Sequence, residues 1–169
     1  MELLTESELK GVIAHEIAHI KNRDILITTI TATIAGVISY LGIIARWSAI
    51  FGGFGGSGRD NDRGGNIISL IVIGIITPLI AMIVQLAISR SREYLADESG
   101  ARYISDPESL ANALEKIEAD SRKHPLSFGS PATSSLFISN PFKGGAFMSI
   151  LSTHPQTSER VKRLRALKV

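Results

Sequence analysis

Residues 15 to 19 read HEIAH, which places two histidines four positions apart and a glutamate directly after the first. On an α-helix these positions lie one turn apart on one face, so His15 and His19 can direct a ring nitrogen toward the same ion. Glu16 lies about 100° around the helix from His15, which suits deprotonation of a metal-bound water better than ligation. The pattern predicts a metal-dependent hydrolytic site with Glu16 as its general base.

The alternative to a metal site is a pair of ordinary helical histidines. Their ring nitrogens would then need hydrogen-bonding partners, which the neighbouring Ala14, Ile17 and Ala18 cannot supply. A chance match to H-E-x-x-H in a chain with four histidines has a probability of roughly half a per cent. The metal interpretation is therefore favoured.

A catalytic zinc needs a third protein ligand and an open position for water. The chain has no cysteine, so that ligand is a histidine or a carboxylate. His124 and His154 are possible, but the segment EYLAD fits better because Glu93 and Asp97 lie four apart on a helical face. We expect Glu93 to complete the site and Asp97 to accept from the free ring N–H of a ligating histidine.

Two apolar stretches separate the histidines from Glu93. Residues 25–45 and 67–88 carry no charge, and each can cross a bilayer as a helix, which takes roughly 20 apolar residues. A glycine-rich loop joins them, so the pattern predicts a two-helix transmembrane hairpin that returns Glu93 beside His15 and His19. The alternative is two buried helices of a soluble core.

Charge and composition limit the partners. The formal net charge of +2 argues against nucleic acid. Gly53, Gly55 and Gly58 satisfy G-x-G-x-x-G, but no predicted strand precedes them, so no nucleotide site is expected. The opening MELLTESELK lacks the features of a signal peptide. We expect protein substrates and a lipid bilayer as the partners.

The basic residues predict an orientation. Of 18 lysines and arginines, three lie between the apolar stretches, namely Arg46, Arg59 and Arg63. The positive-inside rule then places both termini and the active site in the cytoplasm.

Capping and turn signals predict the helices. Thr5 and Glu8 fit a capping box, so a helix begins there and can continue into the first apolar stretch, with any bend near residues 21–24. After the second stretch the chain stays helical, and Gly100 either ends that helix or lets another element approach closely. Ser105 or Asp106 caps the next helix. Residues 124–153 are predicted to be irregular, with SLFI as a short strand. The segment SERVKRLRAL is predicted to form the last helix.

Three segments of the chain resemble one family. HEIAHIKNRD, SRSREYLAD and STHPQTSERVKRL are similar to segments of the HtpX-type membrane zinc metalloproteases, which are related to the CAAX prenyl endopeptidases. The order of the segments around a membrane hairpin matches as well, and the resemblance covers essentially the whole chain.

The resemblance implies a mainly α, zincin-like (glutamate-zincin) domain that a transmembrane hairpin interrupts, with little β-structure. Residues 1–24 would form the zinc-binding helix, residues 25–88 the hairpin, and residues 89–169 the rest of the domain. It also implies a multi-pass protease of the cytoplasmic (inner) membrane that acts in stress response and quality control by cleaving misfolded or damaged membrane proteins.

The resemblance also assigns roles to individual residues. One zinc ion would be held by His15, His19 and Glu93, with Glu16 as the general base and Asp97 as the partner of a ligand. Three further residues lie in the matched segments as support for the transition state. Asn22 and His154 would contact substrate or the transition state, or fill a packed polar role, and His154 and Arg160 are the candidates for stabilising the oxyanion. These three residues are Asn22, His154 and Arg160.

In one respect the chain departs from the family pattern. Members usually carry, upstream of the histidine helix, another pair of membrane segments and a small β region that seats substrate. We therefore expect a fragment, a truncated reading frame or a reduced variant. The rival functions are a membrane-anchored zinc-binding protein without activity, and a structural hairpin that binds no metal.

Overall fold

The computed structural model of the chain describes residues 3–52, 72–124 and 155–169. Their regular elements are all helical. The elements are α1 (Glu6–Lys21), α2 (Asp24–Gly52), a π-helical turn (Val72–Ile76), α3 (Thr77–Ile104), α4 (Pro107–Lys123) and α5 (Thr157–Ala166). The mainly α prediction is confirmed for these residues. The predicted SLFI strand, the glycine-rich loop and His154 lie outside them.

Helix α1 begins at the predicted capping box. The Glu8 backbone N–H donates to the Thr5 hydroxyl, and the Glu8 carboxylate accepts from the Thr5 backbone N–H at 2.8 Å. The helix does not continue into the apolar stretch, because it ends at Lys21 and Arg23 adopts a left-handed φ of 55°. Helix α2 starts at Asp24, so the bend between the two helices lies within residues 21–24, as predicted.

Helices α3 and α4 also follow their sequence signals. Helix α3 continues past the apolar stretch to Ile104, so Gly100 does not end it. Asp106, rather than Ser105, caps α4: its carboxylate accepts from the Ser109 backbone N–H at 3.0 Å, and Pro107 occupies the first turn. Pro107 costs the helix no hydrogen bond there, because first-turn N–H groups have no intrahelical partner.

The chain divides into two compact units. The first, called the polar unit below, comprises Met1–Ile25 and Ser89–Val169, and the second, the apolar unit, comprises Leu26–Ile88. Small residues let the helices of the polar unit approach closely: a Cβ on Gly11 of α1 would lie 3.1 Å from the Leu110 backbone of α4. The core of this unit joins α3, α4 and α5 through Ala101, Leu110, Ala111, Leu114, Val161 and Leu164.

The apolar unit exposes its large side chains. Among the residues that the structure describes, two helices are long and apolar enough to cross a membrane, Asp24–Trp47 and Gly74–Ile104. Side chains such as Ile34, Val37 and Ile83 are about half exposed, whereas the alanines Ala35 and Ala81 are buried. These two helices fit membrane insertion, because in lipid an exposed isoleucine carries no hydrophobic penalty.

Candidate metal centre

Three predicted ligand residues meet in the polar unit. The Nε2 atoms of His15 and His19 lie 3.0 Å apart, and the Glu93 carboxylate lies 3.8 Å from the first and 3.7 Å from the second. Ligand atoms about 2.0–2.1 Å from a tetrahedral ion would be ~3.3 Å apart. The three donors therefore fit one metal ion, and within the described ranges they are the one such group.

The Nδ1 side of the His15 ring contacts a buried ion pair, Asp97 and Arg160. Its Nδ1 lies 2.9 Å from Asp97 Oδ1, although the contact does not have the geometry of a straight hydrogen bond. The Arg160 guanidinium donates twice to Asp97, at 2.7 Å each, and lies 3.3 Å from the Glu93 carboxylate. Burial works against the charged form of Arg160, but the hydrogen bonds to Asp97 and the negative charges of Asp97 and Glu93 together outweigh it and raise the pKa of Arg160.

The His19 ring has a corresponding partner that the sequence analysis missed. Its Nδ1 lies 2.6 Å from Asp24 Oδ2, and Asp24 in turn accepts from the Arg92 Nε at 2.7 Å. Each of the two histidines therefore faces an aspartate, and each aspartate pairs with an arginine. One signal was available in the sequence: Asp24 is a charge at the edge of an apolar run, five residues after His19.

Gly100 decides how closely α3 approaches α1. A Cβ at this position would lie 2.8 Å from the His15 backbone nitrogen and 2.9 Å from its Cα. Contacts this short do not occur between real side chains and backbone, so only glycine fits. The approach explains how Glu93 and Asp97 on α3 come within reach of His15.

The other predicted residues lie as follows. Glu16 is exposed on α1, next to His15 in the chain. The Asn22 amide donates to the Ser99 hydroxyl at 3.4 Å, and its backbone N–H caps α1, which is a packed polar role. His124 is exposed and pairs with Asp120 at 3.1 Å on α4, away from the three donors.

Arg160 lies on the buried side of the site. Its side chain is 1% exposed, so in this structure it contacts carboxylates of the site rather than the surface where a substrate would lie. His154 lies outside the described residues.

Two histidines and a glutamate that could hold a metal ion, together with an exposed glutamate next to the first histidine in the chain, are the arrangement expected of a helical metallopeptidase. The comparison with protein families agrees with this class. Residues 1–168 match the model of Peptidase family M48, and the chain belongs to that family.

Similar curated proteins share one name. The chain is 52% identical to the "Protease HtpX homolog" of Syntrophobacter fumaroxidans, 54% identical to that of Pyrococcus furiosus and 52% identical to that of Aquifex aeolicus. The matches cover 98%, 99% and 97% of this chain, but 58%, 56% and 54% of the relatives. The chain thus spans little more than half of their length. No solved structure matches.

Proposed function

We propose that this chain is a membrane-bound zinc metalloendopeptidase. The proposal rests on one observation. His15 Nε2, His19 Nε2 and the Glu93 carboxylate lie close enough together to bind the same metal ion. Membership of family M48 supports a peptidase. The choice of zinc rests on the donor set, because two imidazoles, one carboxylate and an open position are typical of catalytic zinc sites.

The zinc, when bound, would lower the pKa of a coordinated water and polarise the peptide carbonyl. The chain's own residues do the rest. His15, His19 and Glu93 would hold the ion, and the exposed Glu16 carboxylate would take a proton from the attacking water and pass it to the leaving amine. Asp97 holds the His15 ring, and Arg160 keeps Asp97 ionised in its buried position.

The apolar helices support the membrane part of the proposal. They fit two spans of a cytoplasmic, inner membrane with both termini and the site on the cytoplasmic side, as the distribution of basic residues predicts. A metal site on a chain that lies in the bilayer would reach misfolded or damaged membrane proteins. We therefore propose protein quality control as the role, with neither nucleic acid nor nucleotide as a partner.

The test is cleavage by the purified chain in detergent with one equivalent of zinc. An unfolded membrane protein and casein serve as substrates. Changing Glu16→Gln keeps the size of the side chain but removes the base, so cleavage should fall about 10²- to 10⁴-fold while zinc remains bound. Glu6→Gln, an exposed glutamate on the same helix, is the matched control and should cleave as the wild type does.

Two outcomes would contradict the proposal. Wild-type turnover in Glu16→Gln would exclude Glu16 as the base. A wild-type chain that binds zinc stoichiometrically but cleaves neither substrate would instead favour a membrane-anchored zinc-binding protein.

A further inference from the structure

The orientation of the His19 ring depends on its second nitrogen. An imidazole that offers the Nε2 lone pair to a metal carries its proton on Nδ1, and the group that accepts this proton fixes both the tautomer and the ring plane. In the structure that acceptor is Asp24 Oδ2, at 2.6 Å. The Nε2 atom on the other side of the ring faces His15 Nε2 and Glu93.

Asp24 is itself fixed by one guanidinium. The Nε of Arg92 donates to Asp24 Oδ1 at 2.7 Å, and its Nη2 also bonds to this oxygen. The same Nη2 donates to the backbone carbonyl of Asn22 at 2.9 Å. Arg92 therefore holds both the side chain of Asp24 and the backbone two residues before it.

The turn between α1 and α2 makes this arrangement possible. Arg23 has a φ of 55°, a left-handed conformation that is unfavourable for a residue other than glycine. The reversal turns the Asp24 carboxylate back toward His19, whereas a continuous helix would place residues five apart on different faces. A strained turn at this position needs compensating contacts, and the bonds of Arg92 supply them.

We propose that Asp24 and Arg92 are positioning residues of the metal centre, with Asp24 orienting His19 and Arg92 holding Asp24. Asp24 contacts Nδ1 of His19 rather than the donor atom Nε2, and Arg92 contacts Asp24, so both act through His19. The proposal rests on the proposed function, because it takes His19 as a metal ligand. It adds to the site a second His–Asp–Arg set, built from the α1–α2 turn and α3, beside the set of His15, Asp97 and Arg160.

A simpler role for Asp24 also exists. Asp24 is the first residue of α2, so its carboxylate is favourable next to the positive end of the helix dipole. This role would affect the stability of the fold and leave the affinity for metal unchanged. The affinity for zinc therefore distinguishes the two roles.

The experiment measures zinc binding by the purified full chain in detergent, in competition with a fluorescent chelator. Asp24→Asn keeps the size of the side chain but removes the charge that accepts from both His19 and Arg92. We expect its Kd for zinc to rise about 10- to 100-fold. Arg92→Lys keeps the positive charge but loses the planar guanidinium, which donates to both Asp24 and the Asn22 carbonyl. We expect a smaller rise in its Kd for zinc.

Asp120→Asn is the matched control. Asp120 also pairs with a histidine, His124, but both side chains lie on the exposed face of α4. Its Kd for zinc should equal that of the wild type. The visible spectrum of the cobalt-loaded chain gives a second readout that does not depend on activity: it should change in Asp24→Asn and Arg92→Lys and stay unchanged in Asp120→Asn.

The outcomes separate this inference from the proposed function. An Asp24→Asn chain that folds without metal, as circular dichroism shows, and binds zinc as tightly as the wild type overturns the inference alone. If that variant does not fold, Arg92→Lys is judged by the same criterion. A wild-type chain without stoichiometric zinc overturns the metal centre itself, and the positioning proposal with it.

Discussion

The two compact units place their side chains in opposite ways. In the polar unit, charged and titratable side chains are buried, among them His15, Asp24, Asp97 and Arg160. In the apolar unit, the buried residues among those that the structure describes are small, namely Ala35, Gly42 and Ala81, whereas large side chains such as Ile34 are exposed. The difference indicates that the two units fold against different media.

The medium around each unit determines which interactions stabilise it. Water outside the polar unit makes apolar burial favourable, and the interior can then hold ionised groups only as matched pairs. Lipid, which the exposed isoleucines of the apolar unit fit, would remove that driving force, and close packing at small residues would then hold the helices together. Four changes test this contrast, beginning with the largest expected effect.

Removing the positive charge from the buried ion pair of the polar unit should lower the free energy of unfolding strongly. Arg160→Met keeps roughly the volume of the side chain but leaves Asp97 and Glu93 without the guanidinium. We expect the metal-free chain to lose about 3–5 kcal/mol of unfolding free energy, measured by urea titration in detergent. Lys162→Met, at an exposed position of the same helix, should change it by about 0.5 kcal/mol or less. Equal stability of the two variants would contradict a buried, matched pair.

A charged side chain should be strongly unfavourable in the apolar unit, whereas the polar unit contains buried charged side chains. Ile34 lies near the middle of the Asp24–Trp47 span and is 55% exposed. Ile34→Lys should raise the apparent free energy of membrane insertion of this segment by about 2.5–3.5 kcal/mol, measured with a glycosylation reporter.

Ile25→Lys, at the edge of the same span, is the control for Ile34→Lys. Ile25 is even more exposed, at 83%, but a lysine there can extend its ammonium to the interface. We expect it to cost much less. If both lysines were tolerated equally, the helix would face water rather than lipid.

The same glycine-to-alanine change should have opposite signs in the two units. Gly100→Ala places a Cβ against the His15 backbone and should destabilise the fold by about 1–3 kcal/mol. Gly36→Ala on α2 meets nothing within 4 Å, so it should stabilise by about 0.5–1 kcal/mol through helix propensity. Thermal unfolding of the metal-free chains measures both. A neutral Gly100→Ala would mean that α1 and α3 are not in close contact.

The smallest effect concerns pH. The hydrogen bond from Lys116, followed by the Thr5 backbone N–H, holds the pKa of Glu8 below its ordinary value. The carboxylate therefore stabilises the fold above the unfolded pKa of about 4.3, and this contribution is lost as the pH falls through the lower pKa of the folded state. The effect should be at most about 1 kcal/mol, because the Lys116 side chain is 43% exposed and solvent screens the pair.

Glu8→Gln should abolish this part of the acid dependence. The measurement is the urea midpoint at pH 7 and at about pH 3, compared between the variant and the wild type. Glu118→Gln, from an exposed pair with Arg122, serves as the control and should leave the dependence nearly unchanged. An unaltered pH dependence in Glu8→Gln would exclude a stabilising role for the pair with Lys116.

The sequence alone determined the features whose signals are local. The spacing of His15 and His19 placed both on one helical face, the capping box placed the start of α1, and Asp106 with Pro107 placed the start of α4. Glu93 and Asp97 were also predicted to lie on one helical face, because residues four apart are one turn apart on a helix. The long apolar stretches indicated helices of spanning length for the same reason.

Tertiary structure alone decided which distant groups meet. The partner of His19 depends on a left-handed residue at Arg23, which sequence propensity does not predict for arginine, and on Arg92, 68 positions from Asp24. Arg160 pairs with Asp97 across 63 positions, and Gly100 proved to be a point of helix contact rather than a helix end. Helical periodicity fixes which residues share a face, but which faces meet depends on the packing of the whole unit, and no single segment encodes it.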